Sequence, residues 1–194
     1  MVEYLLGDEM RNLYIDFDGV MFDTVTYAFL EMKRLGIDTT NQDEITNYFK
    51  KVDWNYLIDK AGVLNNSIQK IEKLIESKEF LLVEVATHRC SFNEGIIKTD
   101  DLKSRIHNLK VTTIPKKIEK HFALNAKGNI LIDDAESKIL GWIHDGGIGI
   151  LFSNKVDHLI YPYELGDNPY FITNDLLDCI KVNDFYKEKS KIKK

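Results

Sequence analysis

A short apolar run that ends in two aspartates and a glycine constrains this chain most. Leu13, Tyr14 and Ile15 lead directly into Asp16-Phe17-Asp18-Gly19. Side chains alternate along a strand with a period of two, so Asp16 and Asp18 would point the same way if the strand continued. Two neighbouring carboxylates repel each other and lose solvation. A Mg²⁺ ion would relieve both costs, because it binds carboxylate and carbonyl oxygens and keeps waters for a phosphate. An acidic turn without a metal is the alternative.

Length, composition and charge limit the class of protein. The 194 residues are 44% apolar and 29% charged, which is typical of one globular domain, or of a core domain with a modest insertion. No window approaches the roughly 18 apolar residues of a membrane span, so we expect no membrane association. The net charge of −5 argues against general nucleic-acid binding.

The termini and the cysteines indicate the compartment. The acidic segment 1–9 lacks the basic region of a signal peptide. Cys90 and Cys179 are far apart and fit no metal-ligand spacing, so we expect reduced thiols in a cytoplasmic protein. The lysine-rich segment 187–194 is typical of a helix C-terminus, and a specific anionic partner is the alternative.

Short apolar runs alternate with segments of helical spacing. Wholly apolar runs such as Ile130-Leu131-Ile132 suit strands that are buried on both faces of a parallel sheet. Ile139, Trp142 and Ile143 keep helical spacing before Gly146 ends the pattern. This alternation predicts an α/β fold with right-handed crossovers. The predicted strands are 12–17, 80–86, 109–114, 129–132 and 148–152.

The span from Thr24 to Lys78 contains few strand signals and is predicted to form consecutive helices. Ile45, Tyr48 and Phe49, for example, keep helical spacing after an acidic start. Such an insertion after the first strand is typical of a lid over the carboxyl ends of the strands, where open α/β sheets bind ligands. An ordinary crossover enlarged for packing is the alternative.

Polar groups follow successive predicted strands. Thr87 follows the second strand, a lysine lies within 115–120 after the third, and Asp133-Asp134 follow the fourth. At the carboxyl ends of parallel strands these groups would converge with Asp16 and Asp18. Carboxylates around one site are favoured where a metal neutralises them and a lysine binds a phosphate dianion.

With these motifs in this order, the chain resembles the haloacid dehalogenase (HAD) superfamily of phosphohydrolases over nearly its whole length. The resemblance implies that Asp16 is the nucleophile that forms an aspartyl-phosphate, and that Asp18 is the general acid and then the base. It implies that Thr87 binds the phosphoryl group. Mg²⁺ would be held by the side chains of Asp16 and Asp134 and by the backbone carbonyl of Asp18. Asp133 would lie next to these ligands without binding the ion itself.

The phosphate-binding lysine is chosen among several candidates. Lys120 is our prediction, because a helix that begins after Pro115 would place it one turn in, with Phe122 nearby to pack. Lys117 is the second choice, and Lys116 also competes. Because they follow Thr87 directly, His88 and Arg89 are further candidates for positive charge near the substrate.

The resemblance also predicts a domain division and a substrate. We expect a three-layer doubly wound parallel sheet, HAD-like, formed by residues 1–23 and 79–194, with a helical cap at 24–78. The segment from Ile130 to Asp134, with Trp142 beyond it, is similar to the 5′(3′)-deoxyribonucleotidase branch, which implies hydrolysis of a nucleoside monophosphate. Six aromatic residues in or just before the cap are candidates for stacking on a base or a sugar: Phe22, Phe29, Tyr48, Phe49, Trp54 and Tyr56.

Two other functions stay open at this point. A phosphosugar or a phosphorylated nucleic-acid end could be the substrate of the same fold. Alternatively, the domain could be catalytically silent and bind partners, although neither Asp16 nor Asp18 is needed for packing. Residues 1–194 reveal neither the physiological substrate nor the oligomeric state.

Overall fold

The computed structural model describes residues 10–165 and 169–192. Its centre is one six-stranded sheet in which every pairing is parallel, with the strand order β3-β2-β1-β4-β5-β6. The order reverses beside β1, which is where open α/β sheets form a crevice. The strands are β1 Asn12–Ile15, β2 Leu82–Arg89, β3 Lys110–Pro115, β4 Ile130–Asp133, β5 Ile148–Phe152 and β6 Phe171–Thr173.

Eight α-helices lie within the described ranges. The first four follow β1 without an intervening strand, as the sequence predicts: α1 Thr24–Arg34, α2 Gln42–Lys51, α3 Trp54–Ala61 and α4 Ser67–Ser77. The others are α5 Phe92–Arg105, α6 Lys120–Ala123, α7 Glu136–His144 and α8 Asp178–Ile192, with a short 3₁₀ helix at Pro162–Leu165.

Two hydrophobic clusters cover the two faces of the sheet, because side chains alternate along each strand. Leu13 and Ile15 of β1 point into the larger cluster, whereas Tyr14 points into the smaller one, where it meets Trp142 of α7 edge to face. In β4 the residue Leu131 belongs to the smaller cluster. Helices therefore flank both faces, and the predicted three-layer α/β fold class is confirmed.

All five predicted strands are present, although their ends differ by a few residues. The largest difference is β2, which extends to Arg89 and so contains Thr87 within the strand rather than after it. The sequence did not predict β6, which is three residues long and exists through its pairing with β5. A run of three residues is too short to show a period of two.

Main-chain contacts join the start of the helical segment that follows β1 to the connection between α3 and α4. Phe22 forms an antiparallel bridge with Val63, and the Leu64 amide donates to the Met21 carbonyl at 2.8 Å. Asn41 and Asp53 cap the starts of α2 and α3 by accepting backbone N–H groups, as short polar side chains do at helix N-termini. The division into a core and a cap at 24–78 stays a prediction.

Three of the predictions concern the chain ends and the compartment. The N-terminal segment 1–9 lies outside the described residues, and so do residues 193–194 of the lysine-rich tail. Cys90 and Cys179 are both free cysteines. Across 10–165 and 169–192, none of the helices combines the length and the apolar character that crossing a membrane requires.

Candidate active site

Asp16 stands at the carboxyl end of β1, where the chain leaves the sheet. Its amide still donates to the Ile132 carbonyl of β4 at 2.9 Å, which fixes its backbone beside the neighbouring strand. The chain then turns sharply at Gly19, whose φ of +74° favours glycine. Because of this turn, Asp18 does not continue the strand.

The Asp16 side chain lies in a cluster of three carboxyl groups. Oxygens of Asp16, Asp133 and Asp134 all lie within 4.8 Å of one another, although the residues come from the ends of β1 and β4. Lys120 lies beside them, with Nζ 2.8 Å from Asp16 Oδ1 and 2.6 Å from Asp133 Oδ2. The structure thus brings together Asp16, Lys120 and Asp134, three of the residues that the sequence nominated.

The environment shifts the protonation of these groups. Burial is the main cause that raises the pKa of Asp16 to about 8, and it outweighs the opposing effect of the Lys120 charge. Burial and the nearby Asp133 raise the pKa of Asp134 to about 7. For Lys120, burial alone would lower the pKa, but Asp133 and Asp16 outweigh it and raise the pKa above its usual value. These raised pKa values favour the protonated forms of Asp16 and Asp134, whereas a bound cation would favour the ionised forms.

The residues present fit a Mg²⁺ ion. Although Lys120 Nζ lies 2.8 Å away, Asp16 Oδ1 is buried and accepts no well-aligned hydrogen bond from the described residues. When all three carboxyl groups are ionised, one ammonium leaves an excess of negative charge that a divalent cation would neutralise. Both oxygens of Asp133 have partners, Lys120 and the Ala135 amide, so Asp133 is well placed to orient its neighbours.

Gly19 makes room for the exposed member of the cluster. A Cβ atom on Gly19 would lie 2.1 Å from Asp134 Oδ2 and 2.7 Å from its Cγ. Two separate features therefore favour glycine at this position: the positive φ of the backbone and the carboxyl group of Asp134 packed against it. This close approach explains why the motif that opens the site needs a glycine directly after Asp18.

The Asp18 carboxylate points away from the three-carboxyl cluster. Its Oδ1 accepts a hydrogen bond from Thr24 Oγ1 at 2.6 Å, and its Oδ2 forms an ion pair with Lys98. Thr87 Oγ1 also lies within 3.4 Å of Oδ2. Thr87 is buried and shares its hydroxyl between Asp18 and the His88 carbonyl. Asp18 and Thr87 are thus neighbours, as the sequence predicts.

Lys98 is the residue of this site that the sequence analysis missed. It is completely buried, and its Nζ lies 2.8 Å from Glu94 Oε1 besides contacting Asp18. It also lies 4.3 Å from the ring centroid of Trp54 in α3. The only signal in the sequence is a Glu94–Lys98 pair at i, i+4, which is far more common on exposed helix faces.

Two carboxylates stabilise the charge on Lys98 despite its burial. Burial by itself would lower the pKa of Lys98, but the charges of Asp18 and Glu94 outweigh that effect and raise it. Burial raises the pKa of Glu94, with Lys98 opposing the shift. Lys98 therefore connects the Asp18 loop, helix α5 and, through Trp54, the helical segment that follows β1.

Lys120 lies beside the carboxyl cluster, but the helix around it differs from the predicted one. Lys120 is the first residue of the four-residue helix α6, because β3 ends at Pro115 and a turn follows. Phe122 does not pack nearby, since it is 75% exposed. Lys116 and Lys117 are exposed and make no ion pair with the carboxyl cluster, although Lys116 lines the cavity beside Asp18.

His88 and Arg89 differ in what they contribute. His88 Nε2 lies 2.9 Å from the Ile118 carbonyl, and burial lowers the pKa of the imidazole, which disfavours a positive charge on it. Arg89 is half-buried, with its guanidinium 5.5 Å from the centroid of the Phe92 ring. Of the two residues, Arg89 alone brings a permanent positive charge.

A cavity of about 230 Å³ opens beside Asp18. Phe49 and Trp54 line it from the helical segment, with ring centroids 5.9 Å apart and planes inclined by 24°. Of the six aromatic residues predicted as ligand contacts, these two reach the cavity, whereas Phe22 is buried in the core. The full lining is Asp18, Thr24, Val25, Phe49, Trp54, His88, Cys90, Glu94, Lys116 and Lys138.

The sequence matches no protein-family model and no curated protein. Its fold is similar to that of several solved structures. A HAD-superfamily hydrolase of subfamily IA from Geobacter sulfurreducens aligns with a TM-score of 0.52 and 15% identity, over 94% of this chain and all of that one. This chain has a HAD-like fold.

Two further HAD-like structures agree with this assignment. A HAD-hydrolase from Bacillus subtilis, solved bound to magnesium, aligns with a TM-score of 0.54 and 13% identity, over 90% of this chain and 99% of that one. A haloacid dehalogenase-like hydrolase from Streptococcus pneumoniae has a TM-score of 0.51 and 14% identity, over 89% and 98%. Identities this low establish the HAD-like fold and leave the 5′(3′)-deoxyribonucleotidase branch as a proposal.

We predict that Mg²⁺ binding releases protons from the HAD-like carboxyl cluster. Asp16 and Asp134, with pKa values of about 8 and 7, are partly protonated near neutral pH, and Mg²⁺ binds the ionised form. The apparent affinity should rise with pH from 6 to 8, by up to about tenfold per pH unit for each proton displaced. Calorimetric titration in buffers of different ionisation enthalpy measures the protons released; zero release across this range would contradict the prediction.

A second prediction concerns the buried Lys98. Lys98→Met leaves Glu94 and Asp18 without their cation, so the free energy of unfolding should fall by about 3 kcal/mol. The double variant Lys98→Met/Glu94→Gln removes one orphaned charge and should recover part of that loss. Urea unfolding followed by circular dichroism measures both effects. A single variant as stable as the parent would contradict this description of the network.

Proposed function

We propose that this protein is a Mg²⁺-dependent phosphatase that hydrolyses a small phosphomonoester through an aspartyl-phosphate on Asp16. The observation that carries the proposal is the position of the Asp16 carboxylate. It lies at the carboxyl end of β1, with an oxygen within 4.8 Å of those of two other carboxyl groups and with Oδ1 2.8 Å from Lys120 Nζ. A site built for packing alone would not keep such a group.

Asp16 is the nucleophile in this proposal. A carboxylate oxygen attacks the phosphorus atom and forms an acyl-phosphate bond while the bond to the leaving alcohol breaks, so that one difficult displacement becomes two easier ones. When bound, Mg²⁺ would neutralise charge on the transferring phosphoryl group and keep Asp16 ionised. Asp134, with Asp16 and the Asp18 backbone carbonyl, would hold the ion.

Lys120 and Thr87 would bind the phosphoryl oxygens. Lys120 is charged and buried between Asp16 and Asp133, so its ammonium is fixed before a substrate arrives. Such fixed charges stabilise a transition state without reorganising during the reaction. Thr87 lies within β2, where it is paired in register with Thr113 of β3. This pairing fixes its backbone and keeps its hydroxyl near the site.

Asp18 would move the protons. In its protonated form it would donate the proton to the leaving alcohol. The resulting carboxylate would then accept a proton from the water that cleaves the aspartyl-phosphate, a general acid and base role. Thr24, Thr87 and Lys98 orient its carboxylate toward the cavity that Phe49 and Trp54 line. These two aromatic rings would also limit the access of bulk water.

The Asp16→Asn variant tests the nucleophile. An amide keeps the shape of the side chain but is a far weaker nucleophile, so hydrolysis of a generic aryl phosphate should fall by about a thousandfold or more. Phosphate release in Mg²⁺, with EDTA as the metal-free reference, measures the effect. Asp59→Asn, at an exposed aspartate of α3, is the matched control and should keep the parent rate. Parent-level turnover by Asp16→Asn would rule out the assignment.

Within this proposal, a nucleoside monophosphate is our candidate substrate, because the stacked pair of Phe49 and Trp54 offers aromatic surface to a base. Phe49→Leu keeps apolar volume but removes the ring. Its KM for deoxynucleoside monophosphates should rise several-fold, while its KM for an aliphatic phosphate should be unchanged. Phe122→Leu, at an exposed ring, is the control. Equal effects on both substrates would favour a phosphosugar instead.

A further inference from the structure

A second, larger groove adjoins the catalytic cavity. It encloses about 730 Å³ and shares Cys90 and Lys116 with the cavity that contains Asp18. The two spaces therefore border on the same two residues. The residues that line the groove are Gln42, Thr46, Lys50, Arg89, Cys90, Pro115, Lys116 and Lys117.

The charge of the groove is entirely positive. Four of its eight lining residues are cationic and none is acidic, although the whole chain has a net charge of −5. Among the described residues, no carboxylate lies within ion-pair distance of the charged ends of these four side chains. A concave surface of one sign focuses the field and concentrates ligands of the opposite sign.

Two separate elements supply the polar groups. Gln42, Thr46 and Lys50 are spaced by four residues on α2, so an amide, a hydroxyl and an ammonium share one helix face. From the sheet side, Arg89 is paired in register with Pro115, and the Lys116 amide donates to the Arg89 carbonyl at 3.0 Å. The main chain thus holds Arg89 and Lys116 as neighbours, and both line the groove, with the Arg89 guanidinium 5.5 Å from the centroid of the Phe92 ring.

The chemistry of this set matches a phosphate group. A planar guanidinium and ammonium groups are the donors that proteins use for phosphate, and a hydroxyl and an amide can add neutral hydrogen bonds. The phosphoryl group that reacts is held elsewhere, by Lys120 and Thr87 in our proposed function. The groove would therefore be free to bind a second phosphate of the same molecule.

We infer that the substrate carries a second phosphate group, which binds between α2 and the carboxyl ends of β2 and β3 while the first phosphate is cleaved at Asp16. This inference rests on the proposed function for the reaction but on separate residues for binding. It makes Lys50, Arg89 and Lys117 specificity determinants. A small organic bisphosphate is the substrate class, so the candidate nucleoside monophosphate would carry a second phosphate elsewhere on the molecule. The phosphate next to the end of a nucleic-acid chain is the other source of the same chemistry.

The test compares bisphosphates with matched monophosphates. Linear diols of increasing chain length, phosphorylated at both ends or at one, are titrated calorimetrically in EDTA, where metal-dependent turnover is absent. At the best spacing the bisphosphate should bind about tenfold more tightly than its monophosphate. In the double variant Lys50→Gln/Lys117→Gln this preference should fall to about twofold or less, with monophosphate binding unchanged.

Controls separate the inference from the proposed function. Lys73→Gln/Lys103→Gln changes the net charge equally on exposed faces of α4 and α5 and should keep the full preference. No preference in the parent protein, or one that survives Lys50→Gln/Lys117→Gln, would overturn the inference. A 5′-phosphorylated oligonucleotide that binds more tightly than every diol bisphosphate would overturn the small-metabolite class. Phosphate release, measured separately with Mg²⁺, decides the proposed function.

Discussion

The carboxyl cluster of Asp16, Asp133 and Asp134 is the constraint on which the rest of the site depends. Three acidic groups within 4.8 Å are costly in a crevice, and a single buried cation, Lys120, offsets only part of that cost. The part of this cost that Lys120 does not offset raises the pKa values of Asp16 and Asp134. The surrounding structure is arranged around this cluster: β1 and β4 deliver the acids side by side, and Gly19 lacks the Cβ that would collide with Asp134.

A second charged network separates the task of Asp18 from that of Asp16. Lys98 and Thr24 hold the Asp18 carboxylate away from the cluster, in a cavity bounded by Trp54. Because Lys98 also contacts the Trp54 ring, the same ammonium connects this carboxylate to the helices that follow β1. In our proposed mechanism this division lets one aspartate attack phosphorus while the other transfers protons, and the basic groove beyond Cys90 selects what enters.

Much of the fold and part of the site could be predicted from the sequence, for identifiable physical reasons. Wholly apolar runs such as Ile130–Ile132 indicate strands that are buried on both faces of the sheet. Acidic residues that follow such strands are expected at one edge of a parallel sheet. Asp16 and Asp134 could therefore be predicted to share a site. Lys98 could not, because a Glu–Lys pair at i, i+4 has the same pattern whether exposed or buried. The short strand β6 and the start of α6 at Lys120 depend on tertiary contacts, which local patterns do not encode.

The central claim is that Asp16 forms a covalent phosphoryl intermediate, and one measurement tests it most directly. The protein is mixed with Mg²⁺ and an excess of substrate, quenched rapidly in acid, digested at low pH and analysed by mass spectrometry. Our account predicts that the peptide containing Asp16 gains the mass of one phosphoryl group, and that hydroxylamine removes it. Steady turnover with no phosphoryl group on that peptide, or with one on a different residue, would contradict the account.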